Sequence, residues 1–139
     1  MKKSKKYLKI SVIAFLISVM SFISVSAANY AFTDFSISAS QAWKQLSLFK
    51  TSITTSKGQV KLSYLGPEAV TFRARAMKTD QTYESFGAST VIDQTGTTYK
   101  VAYNQNYGSG TYIQVQVRNH NWTLTSKKIS GNYNVDGNW

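Results

Sequence analysis

The sequence predicts an all-β protein: a single β-sandwich of about eight antiparallel strands, preceded by an N-terminal signal-peptide helix. Three observations point there. Residues 29–139 hold one proline, few acids and many Thr, Ser, Tyr, Val and Asn, a composition that suits strands and turns rather than helices. Apolar and polar residues alternate with period two in several runs, and turn signals recur roughly every 8–12 residues. The first 28 residues differ sharply from the rest.

That leader reads MKKSKKYLK followed by ISVIAFLISVMSFISVSAA, with five lysines ahead of the apolar run and small residues closing it. A basic start, an apolar middle and a small-residue end make up a secretory signal peptide. Cleavage is expected after Ala27 or Ala28, leaving residues 29–139 as one domain. Five serines dilute Ile10–Ala27 and no basic cluster follows it, so no stable membrane span is expected after cleavage. The chain has no cysteine, so packing and hydrogen bonds alone must hold the exported domain. The expected location is extracellular or loosely attached to the cell surface.

Ala39 to Phe49 (ASQAWKQLSLF) is the least regular stretch. It fits either a short helical turn with Ser40 as N-cap or the start of a strand. In QVKLSYL, Val60, Leu62 and Tyr64 share one face, and Gly66-Pro67-Glu68 then forces a turn. AVTFRARAMK is the clearest amphipathic strand, with Val70, Phe72, Ala74 and Ala76 inward and Thr71, Arg73 and Arg75 outward. After Thr95-Gly96, TYKVAYN aligns Tyr99, Val101 and Tyr103. The loop Asn106 to Gly110 separates it from TYIQVQVRN, where Thr111, Ile113, Val115 and Val117 face the core. Gln114, Gln116 and Arg118 face solvent on that reading. WTLTSKKI and YNV close the chain.

Formal charge is +10, but five of the sixteen basic residues lie in the leader. Residues 29–139 keep eleven Lys/Arg against six Asp/Glu, a net +5. That is moderately basic: too little to suggest nucleic acid as a partner, but enough to favour anionic cell-envelope polymers or lipid headgroups. Arg73 and Arg75, with Lys61 on a neighbouring strand, would form a cationic stripe able to hold phosphate or carboxylate. Arg118, Tyr107 and Trp122 are further binding candidates, because aromatics beside Asn and Arg stack on sugars or sit at membrane interfaces. Of the remaining tyrosines, Tyr30, Tyr64, Tyr99 and Tyr103 read as inward, whereas Tyr83, Tyr112 and Tyr133 read as near loops or on the less apolar face.

Catalysis has little support. His120, the one histidine, lies in Asn119-His120-Asn121, where the TYIQVQVRN strand must reverse, and Asn-rich triplets are turn chemistry. No nucleophile signature accompanies it. Asp34, Glu68, Asp80, Glu84, Asp93 and Asp136 are scattered at turns rather than paired for acid–base work. With one His and no Cys, no metal or cofactor is expected. The protein is therefore expected to be non-enzymatic.

Several short stretches are similar to an uncharacterised family, a domain of unknown function, of small secreted all-β proteins from Gram-positive bacteria. They are Tyr30-Ala31-Phe32, KLSYLG with its following Thr-rich strand, AYN at 102–104, VQVRNHN at 115–121 and ISGNYNVD at 129–136. The family pattern also has an Arg-x-Thr element after the first strand and an aromatic directly after ISG, where this chain has ASQAWK and Asn132. The resemblance implies a signal peptide and a cysteine-free all-β mature part; the family has no assigned activity, so the resemblance carries over no catalytic residue. Because such genes resemble those near exporter and bacteriocin loci, it also implies a bacteriocin-like toxin or bacteriocin accessory as the alternative to an envelope-binding role.

Overall fold

The computed structural model describes residues 29–139; the leader and the cleavage positions Ala27 and Ala28 lie outside the described residues. Eight strands follow in order: β1 (Asn29–Ile37), β2 (Lys44–Lys50), β3 (Thr55–Tyr64), β4 (Val70–Met77), β5 (Thr90–Ile92), β6 (Thr98–Tyr107), β7 (Tyr112–Asn119) and β8 (Lys127–Asn134). They form two four-stranded antiparallel sheets, ordered β1-β8-β3-β6 and β2-β7-β4-β5. Among the described residues there is no helix, so the expected sandwich is the fold.

The pairings have a simple logic. β1 lies on β8, β2 on β7, β3 on β6 and β4 on β5. The first four strands thus run as one long ribbon against the last four. Rolling that ribbon up brings β8 onto β3 and β7 onto β4, which is the jelly-roll winding of an eight-stranded sandwich. Rolling leaves only β1, β6, β2 and β5 as edges.

The core lies between the sheets and follows the alternation. Val70, Phe72, Ala74 and Ala76 of β4 are buried, as are Ile113, Val115 and Val117 of β7. Val60 and Leu62 of β3, Val101 and Tyr103 of β6, and Ile129 of β8 close the other side. Each fully buried branched or aromatic side chain contributes roughly 1.5–3 kcal/mol, which is how a domain without disulfides holds together.

Several residues depart from simple alternation, each for a local reason. Tyr64, expected inward, is 56% exposed. A register shift between Leu62 and Tyr64 adds one residue to β3, so the next buried side chain is Leu65 instead. Tyr30 is exposed at the rim, its ring tilted 4.5 Å from Phe49. Tyr133, expected near the surface, is fully buried. It stacks on Phe49 at 5.2 Å and fills the space left by Gly58, where an added Cβ would lie 2.1 Å from the Tyr133 hydroxyl. Tyr107 is buried as well. Ser40 starts no helix: it takes a left-handed φ of 74° at a bend, and the irregular stretch enters β2 directly.

Candidate functional site

The outer face of the β2-β7-β4-β5 sheet carries the most organised polar chemistry. Alternation on β4 sends Arg73 and Arg75 away from the core, and the antiparallel register sets Gln116 and Gln114 of β7 directly opposite them. Both arginines use the match: Arg73 Nε donates to Gln116 Oε1 at 2.9 Å, and Arg75 Nε to Gln114 Oε1 at 2.7 Å. The Gln114 amide in turn donates to Gln45 Oε1 of β2 at 2.7 Å. Gln114 is buried beneath this layer rather than solvent-facing. One more pair along β7, Arg118 lies opposite Thr71.

Aromatic rings interleave with these guanidiniums. Trp43, just ahead of β2, has Arg118 4.5 Å and Arg73 3.9 Å from its ring centroid. Phe86 has Arg73 at 3.8 Å and Arg75 at 4.4 Å, and Tyr83 has Arg75 at 4.2 Å. The result is an alternating row: Arg118, Trp43, Arg73, Phe86, Arg75, Tyr83. Phe86 and Tyr83 arrive because the segment after β4 doubles back along it. Tyr83 bridges Met77, Glu84 N donates to Ala76 O at 2.9 Å, and Gly87 N donates to Ala74 O at 3.0 Å.

No carboxylate balances the row. Among the described residues the one ion pair is Lys78–Glu84, at 3.7 Å and partly exposed. Burial first, then the charges of Arg75 and Arg118, hold the Arg73 guanidinium below the usual arginine value. Arg118 Nε is buried with no hydrogen-bond partner. Stacking fixes all three planar forks, and at Arg73 and Arg75 the Nε bonds add to it; a fixed guanidinium fork matches the oxygens of phosphate or carboxylate. Such a row has the chemistry to meet an anion.

Of the six candidate binding residues, the structure brings together Arg73, Arg75 and Arg118 and separates the others. Lys61 is on β3 in the opposite sheet, between Asn132 and Thr98, so the stripe drawn through Arg73, Arg75 and Lys61 is corrected: two layers lie between them. Tyr107 ends β6 with its hydroxyl donated to Asn104 Oδ1, and its ring is buried beside Tyr103. Trp122 is 63% exposed on the β7–β8 loop and takes part in none of the row's cation–ring contacts. The sequence reading missed Trp43 and Phe86 because both sit in stretches without periodicity. The available signal was Arg-Ala-Arg on one strand facing Gln-Val-Gln-Val-Arg on another.

His120 sits at the bend after β7, as its neighbours suggest. Its N–H donates to Ala69 O at 3.1 Å, its Nδ1 lies 3.0 Å from the Thr71 hydroxyl, and its carbonyl accepts from the Gln41 side chain. These bonds tie three loops together at one end of the sandwich. Among the described residues no three His, Asp or Glu side chains gather at metal-binding distance. Comparison of the chain with protein-family models, curated proteins and solved structures finds no match.

Proposed function

We propose that the chain is a secreted, non-enzymatic protein that acts at the bacterial cell envelope by holding anionic polymers against its arginine–aromatic face. The observation that supports this reading is the row itself: three guanidiniums fixed along one face with no carboxylate among them. Fixing them before the ligand arrives lowers the ordering cost of binding. A lone exposed ion pair contributes only about 0.2–1 kcal/mol, so one small anion would be held weakly. A polymer with regularly repeated negative charges meets several guanidiniums at once, which multiplies the effect. The net charge of +5 over residues 29–139 adds long-range attraction, and the leader is consistent with delivery to the envelope.

The test is sedimentation of the protein with purified Gram-positive cell walls, before and after extraction of their phosphate polymers. Retention on intact walls is expected to fall at least about tenfold after extraction, after raising salt to about 0.5 M, or in Arg73→Gln/Arg75→Gln. Retention indifferent to all three would remove the proposal.

A further inference from the structure

We infer that the cleft on the outer face of the β1-β8-β3-β6 sheet is a saccharide-binding site, independent of the arginine–aromatic face. Its position is set by two irregularities that meet. In β1, Phe32 pairs with Gly131 and Phe35 with Ile129, so β1 spends one residue more than β8 over that interval. In β3, Leu62 pairs with Gly131 and Tyr64 with Ser130, again one residue more. Two bulges, on the two neighbours of β8, therefore flank the same residue, Ser130. Bulges re-aim side chains and recur beside functional sites, and here each one delivers a side chain to the same cleft.

From β1 comes Asp34, held at a left-handed φ of 51° with its N–H donated to Ser130 Oγ at 2.9 Å. From β3 comes Tyr64, more than half exposed. β8 can lie between two bulged strands because Gly131 has no side chain: a Cβ there would stand 2.4 Å from the Lys61 carbonyl oxygen. The cleft they line has a volume of about 590 Å3, and Ser36 and Lys128 line it as well. Lys127 also reaches it, but its ammonium is already held by the Glu68 and Ala69 carbonyls, so among the described residues that line the cleft Lys128 is the cation without such a bond.

The chemistry is that of a sugar ring. A flat exposed aromatic receives the C–H face of a pyranose. A carboxylate accepts from two vicinal hydroxyls, and serine hydroxyls both donate and accept. Lys128 favours a ring that carries an acidic substituent. With one aromatic surface and few apolar neighbours, the cleft is poorly suited to a greasy ligand.

The experiment is an NMR titration of the 15N-labelled protein with di- and trisaccharides of glucose, N-acetylglucosamine, glucuronate and galacturonate. Saturable shifts are expected at the amides of Asp34, Tyr64 and Ser130, with the uronate sugars bound at least about threefold more tightly. Asp34→Asn and Tyr64→Ala are each expected to weaken binding about tenfold or more; Asn tolerates the positive φ, and Tyr64 is exposed, so both variants fold. Lys128→Gln is expected to abolish the preference for uronates. Arg73→Gln/Arg75→Gln is expected to leave these shifts unchanged, which separates this site from the envelope-binding face. No shift at the cleft with any of the sugars, or affinities unchanged in Asp34→Asn and Tyr64→Ala, would overturn the inference.

Discussion

Arg73→Ala tests how far the arginine–aromatic row holds the fold as well as presenting charge. Arg73 lies 3.9 Å from the Trp43 ring centroid and 3.8 Å from that of Phe86, and each half-buried contact of this kind contributes about 1 kcal/mol. Its 2.9 Å bond to Gln116 adds about 1 kcal/mol. Burial first, then repulsion from Arg75 and Arg118, disfavours its charged form and offsets about 0.5 kcal/mol at this half-buried position. The expected loss is therefore about 2–3 kcal/mol, which lowers Tm by roughly 8–12 °C in a domain of this size. Urea unfolding followed by circular dichroism should show the midpoint falling with an unchanged m-value. Arg73→Lys keeps the charge but loses the planar stack and the Nε bond, so it should recover less than half of the loss. A loss under about 0.5 kcal/mol, or full recovery by lysine, would refute the stacking geometry as a source of stability.

Three further outcomes follow from the core and the bend. Burial, then each other's proximity, pushes the Tyr103 hydroxyl above the usual tyrosine value, and burial does the same for Tyr133; the unfolded chain releases both protons above pH about 10 while the folded one keeps them. Stability is thus fully present below that pH and should fall by up to about 2.7 kcal/mol per pH unit above it, with Tyr133→Phe halving the slope; a urea midpoint flat from neutral to alkaline pH would contradict this. Gly58→Ala would place a Cβ 2.5 Å from Tyr133 Cζ and 2.7 Å from the Tyr103 hydroxyl, so a loss of about 3 kcal/mol is expected in thermal melts, and a wild-type Tm would contradict a slot that only glycine fits. His120→Ala removes the contact with Thr71 and should cost about 1 kcal/mol without altering wall retention; lost retention at unchanged stability would give the histidine a role beyond the bend.

How much was legible follows from where local pattern and packing agree. β4 and β7 are readable because each side chain has one clear choice: Val70 and Phe72 go in, Arg73 and Arg75 go out. The bend at His120 is readable because asparagines mark it. Tyr64 was misplaced because a one-residue bulge reverses facing and leaves no compositional trace. Tyr133 was misplaced because its burial depends on Gly58, distant in sequence, leaving a slot for the ring. Lys61 looked like a neighbour of Arg73 because QVKLSYL directly precedes AVTFRARAMK in the chain. The ribbon, however, crosses from one sheet to the other at Gly66-Pro67-Glu68. The arginine pair is visible in the sequence, but the rings that hold it are not, since Trp43 and Phe86 come from irregular segments, the one tied by the Gln41 and Asn119 side chains to the end of β7 and the other by backbone bonds to β4.

The salt dependence of binding to a soluble poly(glycerol phosphate) chain tests the envelope-binding role most directly. If three guanidiniums displace counterions, log K should fall against log salt with a slope of about −2, taking roughly 0.7 per cation as for single-stranded polyphosphate chains. Removing two of them in Arg73→Gln/Arg75→Gln should bring the slope to about −0.7. A slope already near zero, or one that the double variant leaves unchanged, would contradict an arginine–aromatic face that works by holding a polyanion.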